Sequence, residues 1–147
     1  MNQLVIASGN PGKLREFETM LAPLGISVIT QTQLGIAEAE EPHSTFIENA
    51  LAKARHACLA TGLPALADDS GICVTALGGE PGIQSARYAG ENPRSASKNN
   101  EKLLRAMQGI SDRRAHYYCV LVLLRQANDP QPLIAEGEWH GEIAYRE

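Results

Sequence analysis

The sequence has few aromatic residues and no excess of positive charge. Aromatic residues make up 5% of the 147 positions, and 13 lysines and arginines stand against 17 aspartates and glutamates, for a net charge of −4. Proteins that coat nucleic acids use basic faces and aromatic stacking surfaces, so both shortages argue against that class. We therefore expect no nucleic-acid partner, and any bound nucleotide should be a small molecule.

Long hydrophobic runs and a cysteine framework are also missing. The longest apolar stretches, such as residues 120–124, are far shorter than the ~20 residues that a membrane-spanning helix needs. The first residues contain neither the basic leader nor the long apolar region of a signal peptide. The three cysteines, Cys58, Cys73 and Cys119, are odd in number and widely spaced, which indicates reduced thiols. We expect a cytoplasmic protein with no membrane contact.

Apolar runs alternate with helical repeats along the chain. Strands are predicted at residues 4–7, 26–30, 65–67, 72–77, 117–124 and 133–139. Helices are predicted after Asn10, from Thr45 to Gly62, and from Asn92 to Gly109. The order β-α-β-α-β-β-α-β-β predicts an α/β fold, with a mixed, twisted sheet flanked by helices, in one domain over residues 1–147.

The first strand leads into a loop with two glycines and a lysine. Free backbone N–H groups and the dipole of the following helix favour an anion at such a loop, although an ordinary tight turn has the same composition. It is not a Walker A loop, because Leu14 stands where that motif has a metal-binding Ser or Thr. The candidate phosphate-binding residues are Ser8, Gly9, Asn10, Pro11, Gly12 and Lys13.

Two adjacent carboxylates, Asp68 and Asp69, follow an apolar strand. Burying both is costly unless a cation or hydrogen bonds compensate. Neighbouring side chains of a regular strand point to opposite faces, so both reach one site only if the chain turns at the Ser-Gly pair that follows. Glu40 and Glu41 would add oxygen ligands of the kind that Mg²⁺ prefers.

Further polar residues complete the set. Lys53 and Arg87 are natural partners for a polyphosphate, and Ser70 would donate a hydrogen bond to a phosphate oxygen. One phosphate loop, one acidic cluster and several cations together indicate metal-assisted phosphoryl chemistry better than any member does alone.

Four motifs of the sequence resemble one known family. They are SGNPGKLRE at 8–16, TFIENA at 45–50, ADDSG at 67–71 and LGGEPGIQSARY at 77–88. In this order they resemble the inosine triphosphate pyrophosphatase family, and in particular its bacterial dITP/XTP pyrophosphatase branch. The resemblance implies two lobes around a nucleotide cleft, a homodimer, and Mg²⁺-dependent hydrolysis of ITP, dITP and XTP to monophosphate and pyrophosphate. Such an enzyme keeps deaminated purines out of nucleic acid.

The resemblance also implies roles for individual residues. The loop from Ser8 to Lys13 would hold the triphosphate, Lys53 would assist catalysis, and Asp69 would be the general base. Ser70 and, more weakly, Arg87 would contact substrate. The Mg²⁺ ligands would come from Glu40 or Glu41 and from Asp68 or Asp69, and the sequence does not decide within either pair.

The end of the sequence departs from the family pattern. Members of the family continue with a Phe-Gly-Tyr-Asp-Pro stretch and a Ser-His-Arg motif, both associated with base recognition, and neither occurs in the 147 residues. We therefore expect a chain that lacks the C-terminal part of the fold. Two alternatives to the enzyme stay open: a non-catalytic nucleotide-binding fragment, and a related phosphatase with another base preference.

Overall fold

The computed structural model describes all residues from Met1 to Glu147. Five strands and three α-helices follow one another along the chain. The strands are β1 (Gln3–Ile6), β2 (Ser27–Thr30), β3 (Ala65–Val74), β4 (Arg114–Leu124) and β5 (Leu133–Glu142). The helices are α1 (Pro11–Leu21), α2 (Phe46–Thr61) and α3 (Ala96–Ala106), and short 3₁₀ helices cover Ala22–Leu24, Thr75–Leu77 and Gly82–Arg87.

The strands form one sheet in the order β2-β1-β3-β4-β5. Strand β1 pairs in parallel with both β2 and β3. Because β2 and β3 flank β1 on opposite sides, right-handed connections place α1 and α2 on opposite faces of the sheet. The predicted α/β fold with a mixed sheet is confirmed. Its switch point lies at the carboxyl end of β1, where Ile6 pairs with Leu66 of β3, and such folds bind ligands at a switch point.

Two details of the predicted element order are wrong. The expected strands at 65–67 and 72–77 are one continuous strand, β3, and Thr75–Leu77 is a 3₁₀ helix. Gly71 does not adopt a left-handed conformation, and the Ser-Gly pair continues the strand instead of forming a turn. Helix α3 begins after Ser95 rather than at Asn92, because the Ser95 hydroxyl accepts a hydrogen bond from the Lys98 N–H at 3.2 Å and caps the helix.

The chain divides into two compact units. Unit 1 comprises Met1–Asp69 and Val120–Ala135. Its core lies between the sheet and α1, and its strands β1 and β3 are buried along almost every residue, as expected for parallel strands covered on both faces. The core cluster contains Leu4, Ile6, Phe17 and Leu66, with Leu14, Leu21, Ile26, Val28, Leu121 and Leu123 packed around it.

Unit 2 comprises Ser70–Cys119 and Glu136–Glu147. Its smaller core centres on Val74, Met107 and Ala115. Buried Arg113 donates hydrogen bonds to the backbone carbonyls of Met107, Ile110, Ile143 and Ala144, which pair four of its five N–H groups. No helix in the structure has both the length and the apolarity to cross a membrane.

Candidate functional site

The phosphate-loop candidate joins β1 to α1 in unit 1. Asn10 caps α1, since its Oδ1 accepts hydrogen bonds from the N–H groups of Gly12 (2.9 Å) and Lys13 (3.3 Å), and Pro11 occupies the first helical position. The Ser8 hydroxyl accepts the Asn10 N–H at 3.2 Å. The helix predicted to follow Asn10 is confirmed. The loop therefore has a fixed backbone at the positive end of a helix dipole, an arrangement that favours a bound anion.

Gly9 lies close to the flexible end of an acidic side chain. A Cβ atom built at Gly9 would overlap the Glu38 Oε1 atom. Glu38 is therefore an acidic group beside the loop that the sequence analysis missed. The only signal in the sequence is its place in the acidic run that also contains Glu40 and Glu41.

Lys13 forms an ion pair with the Asp68 carboxylate. The Asp68 side chain is only 3% exposed, while that of Lys13 is 34% exposed. A carboxylate so deeply buried needs a partner, and Lys13 supplies one through Asp68 Oδ2. The other carboxylate oxygen, Oδ1, is buried and has no hydrogen-bond partner in the structure.

Lys53 reaches the same strand from α2. Its Nζ donates a hydrogen bond to the Asp68 backbone carbonyl at 2.6 Å and lies 3.4 Å from Glu41 Oε1. The Lys53 side chain is 16% exposed, so it points into the site rather than away from the protein. Two lysines from helices on opposite faces of the sheet thus meet at Asp68, where β3 passes the end of β1.

Asp68 and Asp69 do not share one face of the sheet. Both residues lie within strand β3, and neighbouring side chains of a strand point to opposite faces. Both residues are buried, Asp68 at 2% and Asp69 at 8% exposure. Glu40 is exposed, and no three acidic, histidine or cysteine side chains are grouped closely enough to hold a metal ion. The selection of metal ligands stays a prediction.

Ser70 and Arg87 belong to unit 2. Ser70 continues β3, and Arg87 ends the 3₁₀ helix Gly82–Arg87, where its Nε donates a hydrogen bond to Gln84 Oε1 at 2.8 Å. Their substrate contacts stay predictions. Within unit 1, the structure brings together the loop, Lys13, Lys53, Asp68 and Glu41.

A glycine-containing loop and two converging lysines lie beside the parallel strands β1 and β3 of a mixed sheet. This arrangement is typical of α/β proteins that bind phosphorylated ligands. The Ham1 family profile matches residues 4–147. Protein sequences named dITP/XTP pyrophosphatase are 69% identical in Nitrosomonas europaea and 63% identical in Ralstonia nicotianae. These matches cover 97% of this chain and 70% and 72% of the relatives. The chain therefore belongs to the Ham1 family, which confirms the resemblance that the motifs indicated.

Solved structures agree with this assignment. A HAM1 protein from Coxiella burnetii superposes with a TM-score of 0.93 at 47% identity, over 99% of this chain and 75% of that one. A nucleoside-triphosphatase, dITP/XTP pyrophosphatase, from Mycobacterium abscessus gives a TM-score of 0.78 at 34% identity, over 97% and 75% of the two chains. The α/β fold described above is thus the fold of these proteins.

Proposed function

We propose that this chain hydrolyses dITP, XTP and ITP to the nucleoside monophosphate and pyrophosphate. The convergence of Lys13 and Lys53 on Asp68, beside the phosphate loop, is the observation that carries the proposal. The names of relatives that are 59–69% identical support the choice of substrate. The fold alone would leave the base undefined, since a phosphate site does not read a purine.

The lysines and the loop would stabilise the charge that develops during hydrolysis. Water attacks the α-phosphorus, the α–β anhydride bond breaks, and pyrophosphate leaves with the bonding electrons. Two lysines and the amino end of α1 would stabilise the negative charge on the leaving group. Their ion pairs and hydrogen bonds fix the lysines in place, so little reorganisation is needed when substrate binds.

Asp69 is the proposed general base. An ionised carboxylate can orient the attacking water and accept its proton as the bond to phosphorus forms. Because Asp69 lies on the face of β3 opposite to Asp68, the two carboxylates have separate tasks in this proposal. Asp68 holds Lys13, and Asp69 acts on water.

The residues of the site fit Mg²⁺ by their donor chemistry. Carboxylate oxygens are the ligands that this ion prefers, and the buried Asp68 Oδ1 atom lacks a hydrogen-bond partner in the structure. The proposed ligands come from Glu40 or Glu41 and from Asp68 or Asp69. When bound, Mg²⁺ would offset charge on the phosphate oxygens. We further propose Ser70 and Arg87 as substrate contacts, a homodimer, and a cytoplasmic location among the nucleotide substrates.

The decisive experiment is pyrophosphate release from ITP, XTP and dITP, compared with ATP and GTP, in the presence and absence of Mg²⁺. We expect release from the first three, dependent on Mg²⁺, and a loss of about 10²–10⁴-fold in Asp69→Asn. Thermal shift with each nucleotide separates binding from turnover. Binding without release by the folded protein would identify a non-catalytic nucleotide binder and overturn the proposal.

A further inference from the structure

Helix α2 presents three polar side chains in one stripe. Asn49, Lys53 and His56 are spaced i, i+4 and i+7, so they lie one above another on the same side of the helix. All three contact residues 37–43, which have no regular secondary structure and which we term the acidic segment. Side chains arranged in this way can hold the acidic segment along the length of the helix.

The contacts show the direction of the acidic segment. Asn49 binds the backbone of His43, Lys53 pairs with Glu41 at 3.4 Å, and His56 Nε2 lies 2.9 Å from the Ala37 carbonyl oxygen. Residue numbers along the acidic segment decrease as residue numbers along α2 increase. The acidic segment therefore runs antiparallel to α2 and is held at both ends and in the middle.

Asn49 is the most specific of the three contacts. Its side chain is fully buried, with 0% exposure, and both halves of its amide bind one residue. Oδ1 accepts the His43 N–H at 3.0 Å, and Nδ2 donates to the His43 carbonyl at 3.2 Å. Since a buried backbone group without a partner is costly, few other side chains suit this position: alanine or leucine leaves both groups unpaired, and aspartate lacks the donor.

The acidic segment in turn meets the phosphate site. Glu38 lies against Gly9 of the loop, and Glu41 lies beside Lys53. Both carboxylates sit on backbone without hydrogen-bonded secondary structure of its own. Their positions consequently depend on what holds that backbone, and the stripe on α2 supplies those contacts.

We propose that Asn49 is a positioning residue that, together with His56, fixes the acidic segment so that Glu41 stays beside Lys53 and Glu38 stays beside the phosphate loop. Asn49 acts through the segment and touches neither substrate nor metal. The inference rests on the proposed function for its kinetic consequence, but the clamp itself is a statement about this chain alone. It also gives a physical role to the Asn of the TFIENA motif.

Hydrogen exchange tests the clamp without any substrate. In Asn49→Ala the His43 amide loses its acceptor, and we expect the acidic segment to exchange about tenfold faster, while β1 and β3 keep their protection. His56→Ala should accelerate exchange near Ala37 only. Arg55→Ala is the matched control, because Arg55 lies on the same helix and donates to the Ala127 carbonyl, outside the segment, at 3.2 Å. Unchanged exchange at His43 in Asn49→Ala would overturn the proposal.

Kinetics test the consequence for the site. We expect Asn49→Ala to raise the Mg²⁺ concentration for half-maximal pyrophosphate release, and the KM for ITP, by about tenfold, with a smaller change in kcat. Asp129→Ala serves as a variant of lowered stability, because Asp129 holds the turn after β4 through Arg125 and Gln131. Equal shifts in Asp129→Ala and Asn49→Ala, at equal loss of stability, would mean that Asn49 is only structural and would refute the inference.

A third measurement separates the inference from the proposed function. Calorimetry with inorganic tripolyphosphate and Mg²⁺ needs no turnover, and we expect binding to weaken by about tenfold in Asn49→Ala but not in Arg55→Ala. If the wild-type protein releases no pyrophosphate, the proposed function fails, and exchange and tripolyphosphate binding still decide the role of Asn49. Unaltered tripolyphosphate binding in Asn49→Ala would count against it.

Discussion

Each unit of the molecule uses an asparagine on a helix to hold neighbouring backbone, but the two units bury it differently. In unit 1, fully buried Asn49 binds the N–H and the carbonyl of His43. In unit 2, half-buried Asn99 of α3 accepts the Ala89 N–H at 2.8 Å and donates to the Ala86 carbonyl at 2.9 Å. The same pair of hydrogen bonds contributes more where water cannot replace it, so the clamp of unit 1 should be the stronger one.

The same contrast extends to the strands. In unit 1, the residues of β1 from Leu4 to Ile6 are completely buried. Strand β5 is exposed along its whole length, and its residues in unit 2 include Trp139 at 76% exposure. Unit 1 thus depends on packed apolar side chains. The outer strand of unit 2 depends on pairs between exposed side chains, such as the stacked rings of Tyr117 and Trp139, 6.2 Å apart.

The largest effect that we expect comes from one truncation in each unit. Leu4→Ala should lower the free energy of unfolding by about 3–5 kcal/mol, because it leaves a cavity in the core of unit 1. Trp139→Ala removes a larger side chain but should cost less than about 1 kcal/mol, because little of that side chain is buried. Urea unfolding of the two variants measures both values. A similar loss in both would show that β5 is covered in solution and would remove the contrast between the units.

A smaller effect separates the two units by pH. Arg125, together with the backbone N–H groups of Arg125 and Gln131, lowers the pKa of Asp129 in unit 1 far below its ordinary value. Hydrogen bonds from Arg114 lower the pKa of Asp112 in unit 2 to about 2. A carboxylate with a lowered pKa stabilises the folded state above its ordinary pKa of 3.8, and this contribution is lost as the pH falls towards the folded value.

Asparagine substitutions measure these two contributions. The difference in unfolding free energy between the wild-type protein and Asp129→Asn should decrease as the pH is lowered from 6 to about 2.5. The corresponding difference for Asp112→Asn should decrease by less. Asp129 is the stronger case because its side chain is only 3% exposed, against 39% for Asp112. Thermal unfolding at a series of pH values tests this order. A difference for Asp129 that is independent of pH would mean that its ion pair does not stabilise the fold.

The fold was predictable because its signals are local. Apolar runs and helical repeats define the three helices, and Asn10 before Pro11 marks the start of α1 as well as the candidate phosphate loop. The continuity of β3 was not predictable in this way, because a Ser-Gly pair usually indicates a turn and only the surrounding sheet keeps it extended. That one difference separates Asp68 from Asp69 and changes the interpretation of the site.

The residues that the sequence analysis missed act through partners without secondary structure. The acidic segment brings Glu38 against Gly9, and Asn49 forms hydrogen bonds with the backbone of His43 in that segment. No periodicity marks such contacts, since the acidic segment follows neither a helical nor a strand pattern. A polar residue at a buried position of a helix was the available signal, and its spacing of four from Lys53 placed it beside the site.

The smallest expected effect lies at the alkaline end of the pH range and belongs to unit 2. The Tyr118 hydroxyl donates a hydrogen bond to Glu136, which raises the pKa of Tyr118 to about 12, because the phenolate would face a carboxylate. Glu136→Gln should return this pKa towards 10, with a change in stability at pH 7 of less than about 0.5 kcal/mol, since Glu136 is exposed and Tyr118 is only half-buried. A raised pKa stabilises the folded state below the ordinary value and loses that contribution as the pH rises through the folded value.

Spectrophotometric titration of the tyrosines resolves this change when Tyr118→Phe provides the reference. The wild-type protein should show one tyrosine that ionises later than the others, and Glu136→Gln should bring it back among them. If Tyr118 ionises with the other tyrosines in the wild-type protein, the pair across β4 and β5 is not formed in solution. Exposed pairs would then contribute nothing to the outer strands, and the contrast with the buried strands of unit 1 would be sharper than the structure indicates.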